Sequence, residues 1–323
     1  MIIEYILFIL GFIALIYSAK WLVEGSSSLA KNFNIPDLII GLTVVAFGTS
    51  APELIINVIA GVTGKPDLAI GNIIGSNIAN IMLILGTTAI IMQIPVQKST
   101  ILSEIPFSLA AALLFGFLAN THLLEDKGIL GLSQIDGLIL IFFFFLFLLY
   151  IIYMAKQNQD IDSEEIGDLP NGKALIYSLI GISGLFLGGN LVVDNASIIA
   201  KAWGFSETFI GLTVVGIGTS LPELVTSAIA ALKRNADIAV GNVVGSNIFN
   251  ILWVLGVTSS ISPLPFSVLS NIDILVIIFS STLLILFMII GRKYTIDRWQ
   301  GFIFVIFYIL YLTYLVGRDT HLT

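Results

Sequence analysis

Ten apolar runs of about 20 residues, the length a bilayer core requires, can be drawn near 3–23, 38–62, 68–93, 101–120, 133–155, 174–199, 208–232, 238–262, 271–291 and 299–316. No other feature restricts the fold so tightly. In hydrocarbon every backbone N–H and C=O must find a partner inside its own segment, so runs like these become helices. With 57% hydrophobic and 11% charged residues, the chain reads as an all-α polytopic membrane protein of ten transmembrane helices. The first run carries Glu4, has no basic residue before it and is followed by no clear small-residue cleavage site, so it is expected to stay as a helix rather than act as a leader.

The longest polar connection, 156–173, contains QDIDSEEIGD and supplies much of the net charge of −7. It does not spell a calcium loop: counting Asp160 as the first position, Glu165 stands at the sixth, where an EF-hand needs glycine. An acidic, solvated linker is the expectation. It leaves five spans on either side, in the segments 1–155 and 174–323. The chain has no cysteine, which rules out disulfides and thiolate chemistry. Its two histidines, His122 and His321, both stand near span ends.

Sliding the chain against itself by 170 positions superimposes GLTVVAFGTSAPEL (41–54) on GLTVVGIGTSLPEL (211–224), and GNIIGSNIANI (71–81) on GNVVGSNIFNI (241–251). Two ungapped windows at one offset mark an internal duplication. An odd number of spans per copy makes the second copy enter the membrane from the opposite side, so the two five-helix repeats are expected to be inverted. Secondary transporters are often built in this way, with a site near the midplane between the repeats.

The basic residues orient the array, because cytoplasmic loops carry an excess of them. Lys20, Lys31, Lys98, Lys156, Lys173, Lys233, Arg234, Arg292, Lys293 and Arg298 fall on one side. Only Lys65, Lys127, Lys201 and Arg318 fall on the other. A cell-membrane protein with both termini outside and the acidic linker in the cytoplasm follows.

Glu53 and Glu223 lie near the middle of their spans. An acidic residue at a helix centre costs about 2.5–3.5 kcal/mol on insertion scales, and no Lys or Arg lies at matching depth. A bound cation, a proton, or alternation between them is left to stabilise the pair. Oxygen surrounds both. Thr49 and Ser50 stand four and three residues before Glu53, and Thr219 and Ser220 stand likewise before Glu223, on one helical face. Pro52 and Pro222 lack the N–H that Gly48 and Gly218 would otherwise meet, which frees backbone carbonyls. Ser76 with Asn80, and Ser246 with Asn250, add hydroxyls and amides. The set holds oxygens and two negative charges, without nitrogen or sulfur donors; hard cations and Ca²⁺ in particular suit it. Gly71, Gly75, Gly241 and Gly245 are spaced for close helix packing. Asn72, Asn77, Asn242 and Asn247 could join helices or join the site. The run FFFFLF (142–147) reads as lipid-facing or packing surface.

These duplicated GTS.PE and GN..GSNI..N segments resemble the alpha repeats of the cation/Ca²⁺ exchanger superfamily, specifically its short prokaryotic sodium/calcium exchangers. The resemblance implies Na⁺ and Ca²⁺ competing at a central cluster formed by the backbone at Ala46 and Gly216, by Thr49, Ser50, Glu53, Ser76 and Asn80, and by Thr219, Ser220, Glu223 and Ser246. It places the coordinating carbonyls a half-turn before Gly48 and Gly218. It also implies that the first and sixth spans slide against the other eight; Gly11 and SGLFLGGN (183–190) supply small residues for that contact. Asn250 departs from the many relatives with Asp there, which keeps the fixed charge at two carboxylates, makes K⁺ co-transport less expected and leaves the stoichiometry open.

The implied partners are Ca²⁺, Na⁺ and the lipid bilayer, with no nucleic acid and no cofactor, and a single chain is the expected unit. A proton-coupled Ca²⁺ exchanger is the nearest alternative, although relatives of that type usually carry Asn in place of the Thr-Ser pair. A cation channel fits a self-contained duplication less well. An enzyme fits least, for lack of a catalytic dyad, a histidine cluster or a phosphate loop.

Overall fold

A computed structural model describes residues 2–124, 130–157, 168–204, 216–265 and 267–320. Its helices are α1 (Ile2–Asn32), α2 (Asp37–Thr49), α3 (Ala51–Val62), α4 (Pro66–Ile91), α5 (Glu104–Leu124), α6 (Gln134–Gln157), α7 (Asn171–Ala202), α8 (Leu221–Leu232), α9 (Ala236–Ile261), α10 (Ser270–Ile289) and α11 (Arg298–Thr320). Among the described residues eight helical segments are long and apolar enough to cross a membrane, and the bent pair α2–α3 makes nine if it is one span. The expected span 208–232 begins outside the described residues, and α8 is its described part. Most of the acidic linker, with Asp160 and Glu165, lies outside them too, as do Lys127, His321 and the side chain of His122.

The duplication persists in the backbone. Helix α3 and α8 match at an offset of 170, as do the α-helical first halves of α4 and α9, Pro66–Ile78 and Ala236–Ile248. Each of those halves runs into a π-helical turn, Ala79–Leu85 and Phe249–Val254, which the α-periodicity of the sequence does not announce. Left-handed residues recur at the same offset: Asn34 with Gly204, and Gly64 with Arg234. Two short antiparallel pairings stitch the halves together. Ile94–Pro95 pairs with Thr295–Ile296, and Leu264–Pro265, the counterpart of the first, pairs with Gly131–Leu132.

Burial separates an inner pair of helices from an outer set. In the apolar window of α9, 94% of residues are buried and in α4 72%, against 22% for α1 and α6. The outer helices therefore present apolar faces outward, as a lipid-solvated surface does. The phenylalanine run serves both purposes: Phe142 and Phe145 are exposed, while Phe144 is buried and stacks edge-on against Phe249 at 5.6 Å. Antiparallel α1 and α7 lie side by side along their lengths. A Cβ on Gly25 would sit 2.6 Å from the Ala174 carbonyl, and one on Gly11 would sit 2.7 Å from Val192 Cγ2, so only glycine permits this spacing. Gly241 and Gly245 do the same for α9 against Gly41 and Leu42 of α2.

Candidate functional site

The two prolines do not merely disturb a helix; each starts a new one. Ser50 (φ −89°, ψ 6°) and Ser220 (φ −91°, ψ 7°) leave helical geometry in the same way, and Pro52 and Pro222 occupy the first turn of the helix that follows. Proline fits there because its missing N–H is one the helix leaves unbonded. At Ser50 the chain turns by 46°. This break puts Glu53 and Glu223 in the first turns of α3 and α8, where aligned peptide dipoles favour negative charge. Both side chains are buried, at 0% and 1% exposure.

Contacts cross from one half of the chain to the other around these acids. Ser50 Oγ donates to Glu223 Oε1 at 3.0 Å. Thr49 Oγ1 lies 3.1 Å from Asn242 Oδ1, and Thr219 Oγ1 stands 3.4 Å from Asn72 Oδ1, the same pair with the halves exchanged. Asn242 Nδ2 then reaches the Glu223 carbonyl (3.2 Å) and Ser227 Oγ (2.9 Å). Asn80 Nδ2 donates to Asn247 Oδ1 at 2.9 Å, and Asn247 Nδ2 to the Asn77 carbonyl at 3.3 Å. Asn72, Asn242 and Asn247 thus act as cross-braces. Asn57, not singled out from the sequence, donates to the Glu53 carbonyl at 2.7 Å; its i+4 spacing from Glu53 was the available signal.

Within this frame a set of buried polar atoms has no hydrogen-bond partner: both oxygens of Glu53, Glu223 Oε2, the hydroxyls of Ser76, Ser220 and Ser246, Asn80 Oδ1, and both amide atoms of Asn250. A buried polar group left unmet costs about 1–3 kcal/mol, more when charged. Most of these atoms are oxygens; Asn57 Oδ1, Asn72 Nδ2, Asn77 Oδ1, Thr226 Oγ1 and Thr258 Oγ1 on the same helices are buried without a partner as well. The Ala46 carbonyl is different. It accepts from Ser50 N at 3.0 Å and lies 3.3 Å from Thr49 Oγ1, so coordinating a cation in this conformation means giving up one of those contacts. Gly216 opens the short helical turn Gly216–Gly218 just before the second break. The described ion pairs, Lys31–Asp168, Lys233–Glu24, Arg292–Asp297 and Arg318–Asp273, leave Glu53 and Glu223 out. Among the described residues no three acidic, histidine or cysteine side chains cluster as a metal cage; two carboxylates and neutral oxygens make up the donors.

Residues 3–153 and 173–317 match the family described as sodium/calcium exchanger protein. The inner membrane protein YrbG of Escherichia coli is 40% identical over 80% of this chain and 79% of its own length. The sodium/calcium exchanger MaX1 of Methanosarcina acetivorans is 29% identical over 97% of this chain and 98% of its own. A solved structure of the sodium-calcium exchanger NCX_Mj, soaked with Na⁺ and Ca²⁺, superimposes with a TM-score of 0.79 at 37% identity, covering 97% of this chain and 98% of that one. The matched family and the solved neighbour are exchangers, not enzymes. With the paired glutamates, the broken helices and near full-length matches all agreeing, the chain belongs to the sodium/calcium exchanger family and resembles its prokaryotic members.

Proposed function

We propose that this protein is a secondary antiporter that exchanges Na⁺ for Ca²⁺ at one central site by alternating access. The observation that carries the reading is the set of buried, unpartnered oxygens around Glu53 and Glu223, joined across the halves by the Ser50–Glu223 hydrogen bond. Two buried negative charges match one Ca²⁺ or more than one Na⁺, and hard cations take oxygen donors. The ligands in this reading are Thr49, Ser50, Glu53, Ser76 and Asn80 from the first repeat, Thr219, Ser220, Glu223, Ser246 and Asn250 from the second, and the carbonyls of Ala46 and Gly216.

The architecture that goes with it has ten spans in two inverted repeats, 1–155 and 174–323, both termini outside, and the linker 156–173 in the cytoplasm. A site left empty holds two uncompensated carboxylates, so the transporter crosses between states only when loaded, and loading in both directions is exchange. If three Na⁺ move against one Ca²⁺, one net charge crosses per cycle, worth about 2.3 kcal/mol per 100 mV. Helices α1 and α7, packed against each other through glycine contacts, are the mobile pair in this reading.

The test uses purified protein in liposomes loaded with Na⁺ and diluted into Na⁺-free buffer, with ⁴⁵Ca²⁺ uptake as the readout. Uptake driven by the Na⁺ gradient and lost in Glu53→Gln and Glu223→Gln is the expected result. Uptake that needs only a pH gradient would assign the protein to proton coupling instead.

A further inference from the structure

Glu53, Asn57 and Gly61 stand one turn apart on the buried face of α3. Asn57 is fully buried, and the bond from its Nδ2 to the Glu53 carbonyl fixes the amide, so that Oδ1 faces away from that carbonyl; Oδ1 has no hydrogen-bond partner. Helix α9 runs beside this face. A Cβ on Gly61 would meet Thr258 Cγ2 at 2.8 Å, so the Thr258 methyl packs there, and the Thr258 hydroxyl, buried on the same Cβ, is also without a partner. A threonine inside a helix ordinarily bonds back to the carbonyl four residues before it.

The duplication supplies an internal control. Shifted by 170, Asn57 corresponds to Ser227 and Thr258 to Thr88. Ser227 Oγ accepts from Asn242 Nδ2 at 2.9 Å, and Thr88 Oγ1 donates to the Ile84 carbonyl at 2.6 Å. Both groups of this counterpart pair are satisfied. The Asn57 amide oxygen and the Thr258 hydroxyl, one to two turns beyond Glu53 toward the Val62 end of α3, are thus left over where their counterparts are not, although beyond Glu223 the Thr226 hydroxyl is buried without a partner as well. The two groups are neutral. Ca²⁺ affinity rises with the number of charged ligands, so neutral oxygens added beside a carboxylate favour a monovalent ion over a divalent one.

We propose that Asn57 Oδ1 and Thr258 Oγ1 form an outer Na⁺ position next to Glu53, visited by Na⁺ on its way to or from the central site and not needed by Ca²⁺. This rests on the reading of Glu53 as a cation ligand. Thr258→Val keeps the shape and removes the hydroxyl, Thr258→Ser keeps the hydroxyl, and Asn57→Leu removes the amide. Each is assayed in proteoliposomes for Na⁺-driven ⁴⁵Ca²⁺ uptake against Na⁺ concentration, and for Ca²⁺/Ca²⁺ self-exchange without Na⁺.

Thr258→Val and Asn57→Leu should raise half-saturating Na⁺ about fivefold while the half-saturating Ca²⁺ of self-exchange stays within about twofold, a split that a general packing defect does not produce. Thr258→Ser should behave as the parent protein. Unchanged Na⁺ dependence, or Na⁺ and Ca²⁺ shifting together, overturns the proposal. If Asn57→Leu loses both activities, the comparison of Thr258→Val with Thr258→Ser decides alone. Glu53→Gln separates the two levels: a silent Thr258→Val beside an inactive Glu53→Gln removes only the outer position, whereas normal exchange by Glu53→Gln removes the parent reading.

Discussion

Ser50 Oγ donates to Glu223 Oε1 at 3.0 Å, whereas Ser220, its counterpart 170 residues along, has an unpartnered hydroxyl, and both Glu53 oxygens are left without a donor. One carboxylate is braced across the two halves of the chain and the other is not. Two nearly identical sequence motifs thus sit in unequal environments in a single conformation.

That inequality predicts unequal mutants. Ser50→Ala removes a hydrogen bond to a charged group, a loss of about 1.5–3 kcal/mol, and should raise half-saturating Ca²⁺ by about tenfold or more. Ser220→Ala should raise it less, since it removes one ion oxygen without also removing a bond to a carboxylate. Calcium titrations of Na⁺-driven uptake measure both, and equal effects would show that the asymmetry does not persist during turnover.

Asn250 is buried with neither amide atom partnered. In the proposed site, Asn250→Asp adds a third carboxylate to the glutamate pair. A third like charge disfavours ionisation of all three, so the variant should bind a further proton or monovalent ion with its cargo. Its Ca²⁺ uptake, measured between pH 6 and pH 9, should depend on pH more steeply than that of the parent protein; identical profiles would place Asn250 outside the ion cluster.

The orientation can be read from single cysteines, because the chain has none of its own. Lys65 and Arg234 are both exposed and flank equivalent turns of the two halves, after α3 and after α8. In intact cells a membrane-impermeant maleimide should label Lys65→Cys and spare Arg234→Cys, with both labelled after permeabilisation. Labelling of both from outside would contradict the inverted arrangement.

Gln300 holds the junction of α10 and α11. It is fully buried, its Nε2 donates to the carbonyls of Phe287 (3.0 Å) and Ile290 (2.6 Å), and its Oε1 accepts from Asp297 N at 2.8 Å. Gln300→Ala strands three backbone groups, and at about 1–3 kcal/mol for each group left unmet it should lower the melting temperature clearly. Half-saturating Ca²⁺ should stay at the parent value, since the junction lies outside the ion cluster.

How much of this was legible beforehand differs by level. The apolar runs and the 170-residue offset were enough to mark the helices, the duplication and the two glutamates, because hydrocarbon leaves the backbone few choices and a carboxylate in an apolar run stands out. The proline positions also announced the break, although the sequence suggested a disturbed helix and the structure has a second helix starting at Ala51 and at Leu221.

The remaining features depend on which side chains meet. An α-periodic reading cannot foresee the π-turns at Ala79–Leu85 and Phe249–Val254, which contain Asn80 and Asn250. Nor can it say that Asn72, Asn242 and Asn247 brace the halves while Asn57 keeps a free oxygen, since asparagines in apolar helices look alike until their partners are known. Sequence by itself determined that two acidic, oxygen-rich segments are buried in a membrane protein. Tertiary structure decided that they face each other and that one carboxylate is braced while the other is bare, because hydrogen bonds between residues 173 apart, such as Ser50 to Glu223, exist only once the helices have packed.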